Sequence, residues 1–367
     1  MLLEDIEKEL QKKRIKYDVY NEIAKCPYEI YIWGAGSMAK EVRKRLEEKN
    51  IEVKGYVIDI VNNSMDPVVD NNIFDINHLM ENDKNIGIVM GHGHYENINK
   101  LDQYPCVKKI YIIANPYIQY QGPGEIWMSK NIHRISKLIE ELDALSQKCL
   151  CAYYLVQNTY DAKFIINREF ILKNIFDLVG KIGGQEVYVD VGAYTGDTVE
   201  TFINESHNKY KKIIAIEPNT IAFEKLLENN RLNNAVRLEC CGLGEENETM
   251  FMDVNEMQST HMDSSKYGKQ EVDIYKYDDL LGDEEVTILK VFVPFMALSI
   301  LKGAENSIKK YMPKLIINVG ADNGTHILDV IEWIYNLEIG YSVKLRYDFP
   351  MPTRLLVFAE VQEDYKR

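Results

Sequence analysis

Residues 187–198 read VYVDVGAYTGDT and combine a strand, a glycine turn and the start of a helix. The first three residues are β-branched or aromatic, which favours a buried strand. Gly192 and Gly196 then allow a tight turn, because glycine tolerates backbone conformations that other residues avoid. A helix after the turn offers free backbone N–H groups in its first turn. The stretch therefore predicts a nucleotide-binding corner of a parallel sheet.

An acidic residue follows the glycine turn at the spacing found in nucleotide-binding folds. Residues 212–216 read KIIAI, a second strand pattern, and Glu217 comes directly after them, about 20 residues beyond the turn. An acid at this place accepts hydrogen bonds from a ribose diol in doubly wound folds. The glycine spacing is GxxxG, with Asp190 before it, and this form suits S-adenosylmethionine better than a dinucleotide. The structural alternative is a turn that only packs the helix against the sheet.

Composition limits the classes of function. The chain has 367 residues, enough for two domains, and a net charge of −14. This charge argues against nucleic acid as a partner, since binding phosphates needs a basic surface. No apolar run is long enough to span a membrane.

The six cysteines form no CxxC pair, so we expect a reducing, cytoplasmic location and no metal site. Cys240 and Cys241 lie in an apolar strand pattern, LECCG, and are expected in the core.

A second corner of the same kind occurs near the N-terminus. A strand pattern at residues 30–33 leads into a GxGxxA turn with Gly34 and Gly36, then a helix, a second strand and Asp59. His92 follows the strand pattern of residues 86–90. These residues predict a second crevice, which serves either as a docking platform without a ligand or as the site of a nucleotide-linked substrate.

The order of elements predicts an α/β fold with two domains. Residues 1–120 are expected to form a small Rossmann-like domain with a parallel sheet, and residues 121–182 a helical bridge. Residues 183–367 are expected to form a second Rossmann-like domain whose sheet ends in an antiparallel edge. This is the usual shape of S-adenosylmethionine methyltransferases.

From about residue 158 to the C-terminus the sequence resembles the FkbM family of methyltransferases. The resemblance rests on FDLVGKIGGQEVYVDVGAYTGDTVETF, IIAIEPNTIAFEKLLENN, YDDL, LKGAENSI, PKLIIN and GYSVKLRYD. It implies O-methylation, often of a sugar or polyketide-type hydroxyl. It also implies S-adenosylmethionine bound across Asp190, Gly192, Gly196 and Glu217, with Asn219 flanking the ribose and Cys241 and Gly242 near the adenine. The N-terminal domain is similar to nucleotide-sugar-binding domains attached to sugar-modifying enzymes.

The chain departs from the family pattern at residues 290–304. The pattern is close to K-x-D-x-E-G-A-E followed by L-K-G-A, whereas this chain reads KVFVPFMA and then LSILKGA. Phe292, Pro294 and Ala297 therefore stand where acids are expected, and Phe295 stands where the glycine is expected. The expected result is an apolar acceptor pocket, with His261 and His326 as the catalytic candidates. The structural alternative is that this apolar stretch belongs to the core.

Three functions remain open at this point. The first is an active methyltransferase acting on a small-molecule or glycan acceptor, including nucleotide-linked ones. The second is a methyltransferase-like binding or scaffolding module that has lost catalysis. The third is an oxidoreductase using the N-terminal GxGxxA turn, although no acid–base group for hydride transfer can be placed. The oligomeric state is left open.

Overall fold

A computed structural model gives the fold of most of the chain. It describes residues 18–59, 72–81, 84–92, 95–114, 124–231, 233–252, 262–263, 270–293, 295–320 and 325–365. Contacts divide the chain into two compact units. Unit 1 takes its described residues from 1–139, 144–171 and 349–352, and unit 2 from 140–143, 172–348 and 353–367. Both units are α/β structures, which confirms the predicted fold class.

Unit 1 contains a five-stranded sheet in which every pair of neighbouring strands is parallel. Its strands are β1 (Glu29–Trp33), β2 (Gly55–Ile58), β3 (Ile73–Asp75), β4 (Ile86–Met90) and β5 (Val107–Tyr111), in the order β3-β2-β1-β4-β5. Its helices are α1 (Val19–Ala24), α2 (Ser37–Glu48), α3 (Ile76–Glu81), α4 (Gly124–Glu141) and α5 (Ala144–Thr159). The strand order extends from β1 to one side through β2 and β3, and to the other side through β4 and β5. Open parallel sheets bind ligands at such a switch point.

The division into residues 1–120, 121–182 and 183–367 stays a prediction. The structure places most helical residues of the expected bridge in unit 1, since α5 and most of α4 fall there. Residues 172–182 belong to unit 2.

Unit 2 contains a seven-stranded mixed sheet and a smaller four-stranded sheet. Its strands are β6 (Val187–Val191), β7 (Lys212–Ile216), β8 (Val236–Glu239), β9 (Gly242–Gly244), β10 (Glu248–Met252), β11 (Met262–Asp263), β12 (Gln270–Lys276), β13 (Ile288–Val291), β14 (Lys314–Asn318), β15 (Tyr341–Tyr347) and β16 (Leu355–Val361). Its helices are α6 (Asp197–Glu205), α7 (Thr220–Asn230), α8 (Tyr277–Leu281), α9 (Ala297–Gly303), α10 (Glu305–Tyr311) and α11 (Thr325–Asn336).

The large sheet has the order β15-β16-β14-β13-β6-β7-β8. Strands β8, β7, β6, β13 and β14 run parallel, while β16 runs antiparallel to β14 and to β15. The antiparallel edge predicted from the sequence is therefore confirmed. All five residues of β6 are buried, and the Tyr188 ring stacks on Phe202 of α6 at a centroid distance of 4.5 Å. This packing anchors the glycine corner to the sheet.

One local expectation was wrong. Cys240 is exposed and not in the core, while Cys241 is buried, since β8 ends at Glu239 and Cys240 lies beyond it. Residues 242–244 form strand β9 beside β12, and Gly242 leaves room there for Ile274, because a Cβ would lie 2.4 Å from Ile274 Cδ1. Helices α9 and α10 are separated at Ala304.

Candidate functional site

The glycine turn between β6 and α6 is closely packed on both sides. Gly192 and Gly196 have left-handed φ angles of 77° and 93°, and Tyr194 between them has 51°. The N–H groups of Gly192 and Ala193 both donate to the Ile216 carbonyl of β7, at 3.0 and 3.1 Å. A Cβ at Gly192 would lie 2.5 Å from the Phe292 carbonyl oxygen. The turn is thus held against the carboxyl ends of β7 and β13.

Asp190 forms a buried ion pair beneath this turn. Its side chain is 0% exposed, and its Oδ1 accepts from Lys290 Nζ at 2.5 Å. Thr198 Oγ1 donates to the other carboxylate oxygen at 2.5 Å. Lys290 Nζ also donates to the Gly192 carbonyl at 3.0 Å. A buried charge is stable only when paired, so Asp190 and Lys290 together hold the first residue of the turn.

Glu217 lies at the carboxyl end of β7, beside the same turn. Its carboxylate is 8% exposed and accepts the Tyr194 N–H at 2.8 Å and the Asn219 N–H at 2.9 Å. Burial raises the pKa of Glu217 above 4.5, and the two backbone donors, with Lys290, oppose this shift. The predicted pairing of the turn with Glu217 is present in the structure.

The other residues implied for the cofactor lie around this point. Asn219 caps helix α7, because its Oδ1 accepts from the N–H groups of Ile221 and Ala222 at 3.0 and 3.2 Å. Cys241 and Gly242 are both buried at the start of β9. The pKa of the Cys240 thiol is raised, first by partial desolvation and then by the charge of Glu217. Cys240 therefore lies near Glu217, which the sequence analysis did not foresee.

The segment after β13 is divided between core and surface. Phe292 packs partly buried against the core, and its N–H continues the ladder by donating to the Val191 carbonyl at 2.9 Å. Phe295 is 64% exposed and has φ 65°, whereas Ala297 is fully buried at the start of α9. The core explanation therefore holds for Ala297 and in part for Phe292, but it is wrong for Phe295. Pro294 lies outside the described residues.

The two histidine candidates differ in what the structure records. His326 is the second residue of α11 and is half-buried. It belongs to the first turn of a helix that follows β14, so it lies towards the carboxyl edge of the parallel strands. His261 lies outside the described residues. Within the ranges that the structure describes, no group of three His, Cys, Asp or Glu residues could hold a metal ion.

Of the four residues predicted to form the second crevice, the structure shows Gly34 and His92 close to each other in unit 1. Gly34 follows β1 with φ 96°, and a Cβ there would lie 3.4 Å from the His92 imidazole. Gly36 is the N-cap of α2, and a Cβ there would have no neighbour within 4 Å. Asp59 accepts from the Tyr104 hydroxyl at 2.5 Å. Desolvation, with the Asp59 contact second, raises the pKa of Tyr104 to about 12.

A cavity of about 510 Å³ elsewhere in unit 2 is not formed by any of these residues. It is lined by Glu245, Glu246, Asn247, Lys276, Asp279, Lys302, Glu305 and Trp333. Several of these charges are paired, for example Lys302 with Glu245 at 3.3 Å. The predicted site residues therefore do not line this cavity.

Sequence reasoning missed Lys290 and Thr198, which bind Asp190. It also missed Arg354, whose guanidinium lies 5.8 Å from the Phe292 ring centroid, and its partner Asp348. Lys290 carried a signal, since a lysine inside an apolar strand needs a buried partner. Arg354 and Asp348 carried none, because they reach the site only through the pairing of β16 with β14 and β15.

Two comparisons with known proteins relate this chain to methyltransferases. Residues 190–343 match the family model described as Methyltransferase FkbM domain. The crystal structure of Methyltransferase FkbM from Methylobacillus flagellatus KT is similar with a TM-score of 0.68 and 18% identity, covering 93% of each chain. At that identity the similarity shows a shared fold. No curated protein sequence matches this chain.

A more distant structure resembles only part of the chain. Fibrillarin from Aeropyrum pernix, determined with natively bound S-adenosyl-L-methionine, has a TM-score of 0.31 and 9% identity. It covers 49% of this chain and 67% of its own. Similarity at that level does not establish a common site. Separately, no helix among the described residues is long and apolar enough to cross a membrane.

Proposed function

Because residues 190–343 match the model of the FkbM methyltransferase domain, we propose that unit 2 binds S-adenosylmethionine and methylates a hydroxyl of a glycan or related acceptor. The observation that carries the proposal is Glu217. It is a buried carboxylate at the end of β7, in direct hydrogen-bond contact with the Gly192–Gly196 turn through Tyr194. The two backbone N–H groups offset its desolvation only in part, since its pKa stays raised, and a buried carboxylate with a perturbed pKa at a strand end is typical of a binding site.

The donor and acceptor groups present fit this cofactor. Each oxygen of Glu217 accepts one backbone N–H, and an ionised carboxylate has about four acceptor positions, so two remain for a ribose diol. Asn219 would adjoin the ribose, although its Oδ1 already caps α7. Asp190 has both oxygens engaged inside the sheet, so it would support the site by holding Gly192 through Lys290.

The cofactor supplies an electrophilic methyl group on a positively charged sulfur. The chain's own residues have to orient the acceptor hydroxyl in line with that methyl group and accept the hydroxyl proton. His326, in the first turn of α11, is the candidate proton acceptor among the described residues. His261 remains the second candidate.

The alternative is a binding or scaffolding module that has lost catalysis. It is supported by the apolar side chains Phe292 and Ala297 at positions where the family pattern has acids. Neither side chain can take a proton or bind a metal. A module without catalysis can still bind S-adenosylmethionine, so only a measurement of methyl transfer distinguishes the two functions.

The binding proposal is tested by calorimetric titration of S-adenosylhomocysteine into the wild type and Glu217→Ala. Losing the ribose acceptor should weaken binding by about 1.5–3 kcal/mol, the range of hydrogen bonds to a charged group. Glu285→Ala is the matched control, since Glu285 is a half-exposed acid before β13, at the opposite end of the strands. Equal affinities for wild type and Glu217→Ala, or no wild-type binding, would contradict the proposal.

Turnover is tested by a methyl-transfer assay on a glycan panel with and without a chelator. We expect activity that does not depend on metal, and weak activity on simple sugar hydroxyls. Loss of wild-type activity on chelation would refute the metal-free mechanism. If the wild type is inactive and the double variant Phe292→Asp/Pro294→Glu is active, this protein has lost catalysis through these substitutions.

A further inference from the structure

The ring of Phe292 contacts two cations. The guanidinium carbon of Arg354 lies 5.8 Å from the ring centroid, and Lys290 Nζ lies 4.5 Å from it. Both distances are within the range of about 6 Å in which an aromatic face attracts a cation. Lys290 is buried and neutralised by Asp190, whereas the Arg354 side chain is 41% exposed. Arg354 is therefore the cation of this group that can meet a ligand.

The sheet topology places Arg354 on the acceptor side of the site. Arg354 directly precedes β16, and Asp348 directly follows β15. Since β16 is antiparallel to β14 and to β15, its beginning lies at the same edge as the carboxyl ends of β13, β14 and β15. Ligands of open α/β sheets bind outside this edge. Glu217, at the end of β7, lies on the other side of β6 and β13, so the two groups occupy different halves of the crevice.

Asp348 holds the guanidinium of Arg354 in one orientation. Arg354 Nε donates to Asp348 Oδ1 at 2.9 Å, and Nη2 pairs with Oδ2. The Asp348 side chain is 7% exposed, so this contact anchors Arg354 from inside the unit. A fork that uses Nε and Nη2 leaves the two Nη1 hydrogens and one Nη2 hydrogen on the opposite edge. That edge is oriented before any ligand binds, which lowers the cost of binding an anion.

The side chain at position 292 does not repel an anion. An acid there would lie beside Arg354 and neutralise its charge, but the chain has phenylalanine. The half-buried Phe292 ring therefore lies beside an oriented guanidinium edge. A carboxylate matches this edge, because its two oxygens accept two parallel N–H bonds. A flat aromatic ring or the C–H face of a sugar matches Phe292.

We propose that Arg354 is a specificity-determining residue of the acceptor site, and that the acceptor carries a carboxylate next to a ring that packs on Phe292. The inference rests on the proposed function, since it names the acceptor class of the same site. Two kinds of molecule share this chemistry, an aryl carboxylic acid and a sugar acid. Each of them has a neutral counterpart that differs by only one group.

The test is calorimetric titration of two matched pairs into the full chain, with and without saturating S-adenosylhomocysteine. One pair is benzoate and benzyl alcohol, and the other is methyl glucuronide and methyl glucoside. We expect the wild type to bind the acidic member of one pair about tenfold or more tightly, the scale of a charged hydrogen-bonded pair. The pair that shows the preference identifies the acceptor as an aryl acid or a sugar acid.

The variants decide whether Arg354 causes the preference. Arg354→Met alone leaves Asp348 buried without its partner, so the double variant with Asp348→Asn is the main comparison, and both should lose the preference. Lys309→Met, which removes an exposed cation paired with Glu305 on α10, should keep it. No preference in either pair, or an unchanged preference in the double variant, would overturn the inference. A failure to bind S-adenosylhomocysteine would instead count against the proposed function, because the titrations without it still measure the preference.

Discussion

Lys290 and Asp190 are direct partners across two adjacent parallel strands, β13 and β6, and their side chains form an ion pair that is almost fully buried. The ammonium reaches beyond the strand end to the Gly192 carbonyl and lies over the Phe292 ring. One lysine therefore joins the Gly192–Gly196 turn to the segment that follows β13. Because both charged groups of the pair are desolvated, breaking the pair should change the stability measurably.

Replacing Lys290 by methionine should destabilise unit 2 by about 3–5 kcal/mol, since Asp190 is left as a buried unpaired charge. Urea unfolding measures this. Lys302→Met is the control, because its pair with Glu245 is between two half-exposed side chains and should matter by less than about 1 kcal/mol. Adding Asp190→Asn to Lys290→Met should recover part of the loss. Equal effects of the two lysine substitutions would contradict the role of the buried pair.

Replacing Gly192 by alanine should also be costly. Its φ of 77° is unfavourable for a side chain, and the new Cβ would lie 2.5 Å from the Phe292 carbonyl oxygen. We expect a loss of about 2 kcal/mol or more in thermal or urea unfolding. Gly183→Ala should stay within about 1 kcal/mol of wild type, because its nearest neighbour would be 4.0 Å away. If Gly192→Ala leaves the free energy of unfolding unchanged, the turn is packed less tightly than the geometry indicates.

The affinity for S-adenosylhomocysteine should fall as the pH decreases, because a ribose diol donates to the ionised form of Glu217. The pKa of Glu217 in the free protein is raised above 4.5 by desolvation, so the decline should begin at a higher pH than for an exposed glutamate. By the same shift, the ionised carboxylate costs the ligand-free protein stability above its folded pKa, and this cost disappears as the pH falls through that pKa.

Titrations from about pH 8 down to about pH 5 measure this dependence. Glu217→Gln is the control, since it cannot ionise and should show a flatter profile. Identical profiles for the two proteins would assign the pH dependence to another group.

The second crevice should bind a nucleotide sugar through Asp59 if it has a ligand. In a thermal-shift screen of the full chain, we expect UDP-glucose to raise the melting temperature by about 2–4 °C and dTDP-glucose, which lacks the 2′-hydroxyl, to raise it less. Asp59→Asn should remove the difference. Glu52→Gln, at an exposed acid paired with Lys54, should keep it. No shift with any nucleotide sugar would leave unit 1 as a docking platform.

Local sequence determined the corner itself. The strand residues 187–189, the glycines at 192 and 196, and the acid at 217 lie close together along the chain or at a spacing that the fold enforces, so pattern and composition predict them. The same holds for the corner at Gly34 and for the antiparallel edge. These features depend on backbone conformation and hydrophobic periodicity, which a sequence displays directly.

Only the tertiary structure decided which side chains meet at the strand ends. Asp190 and Lys290 are 100 residues apart, and Arg354 reaches Phe292 only because β16 adds to the sheet beside β14. The exposure of Cys240 likewise depends on where β8 stops. Such contacts are set by strand order and register, which come from the packing of the whole sheet and not from any local pattern.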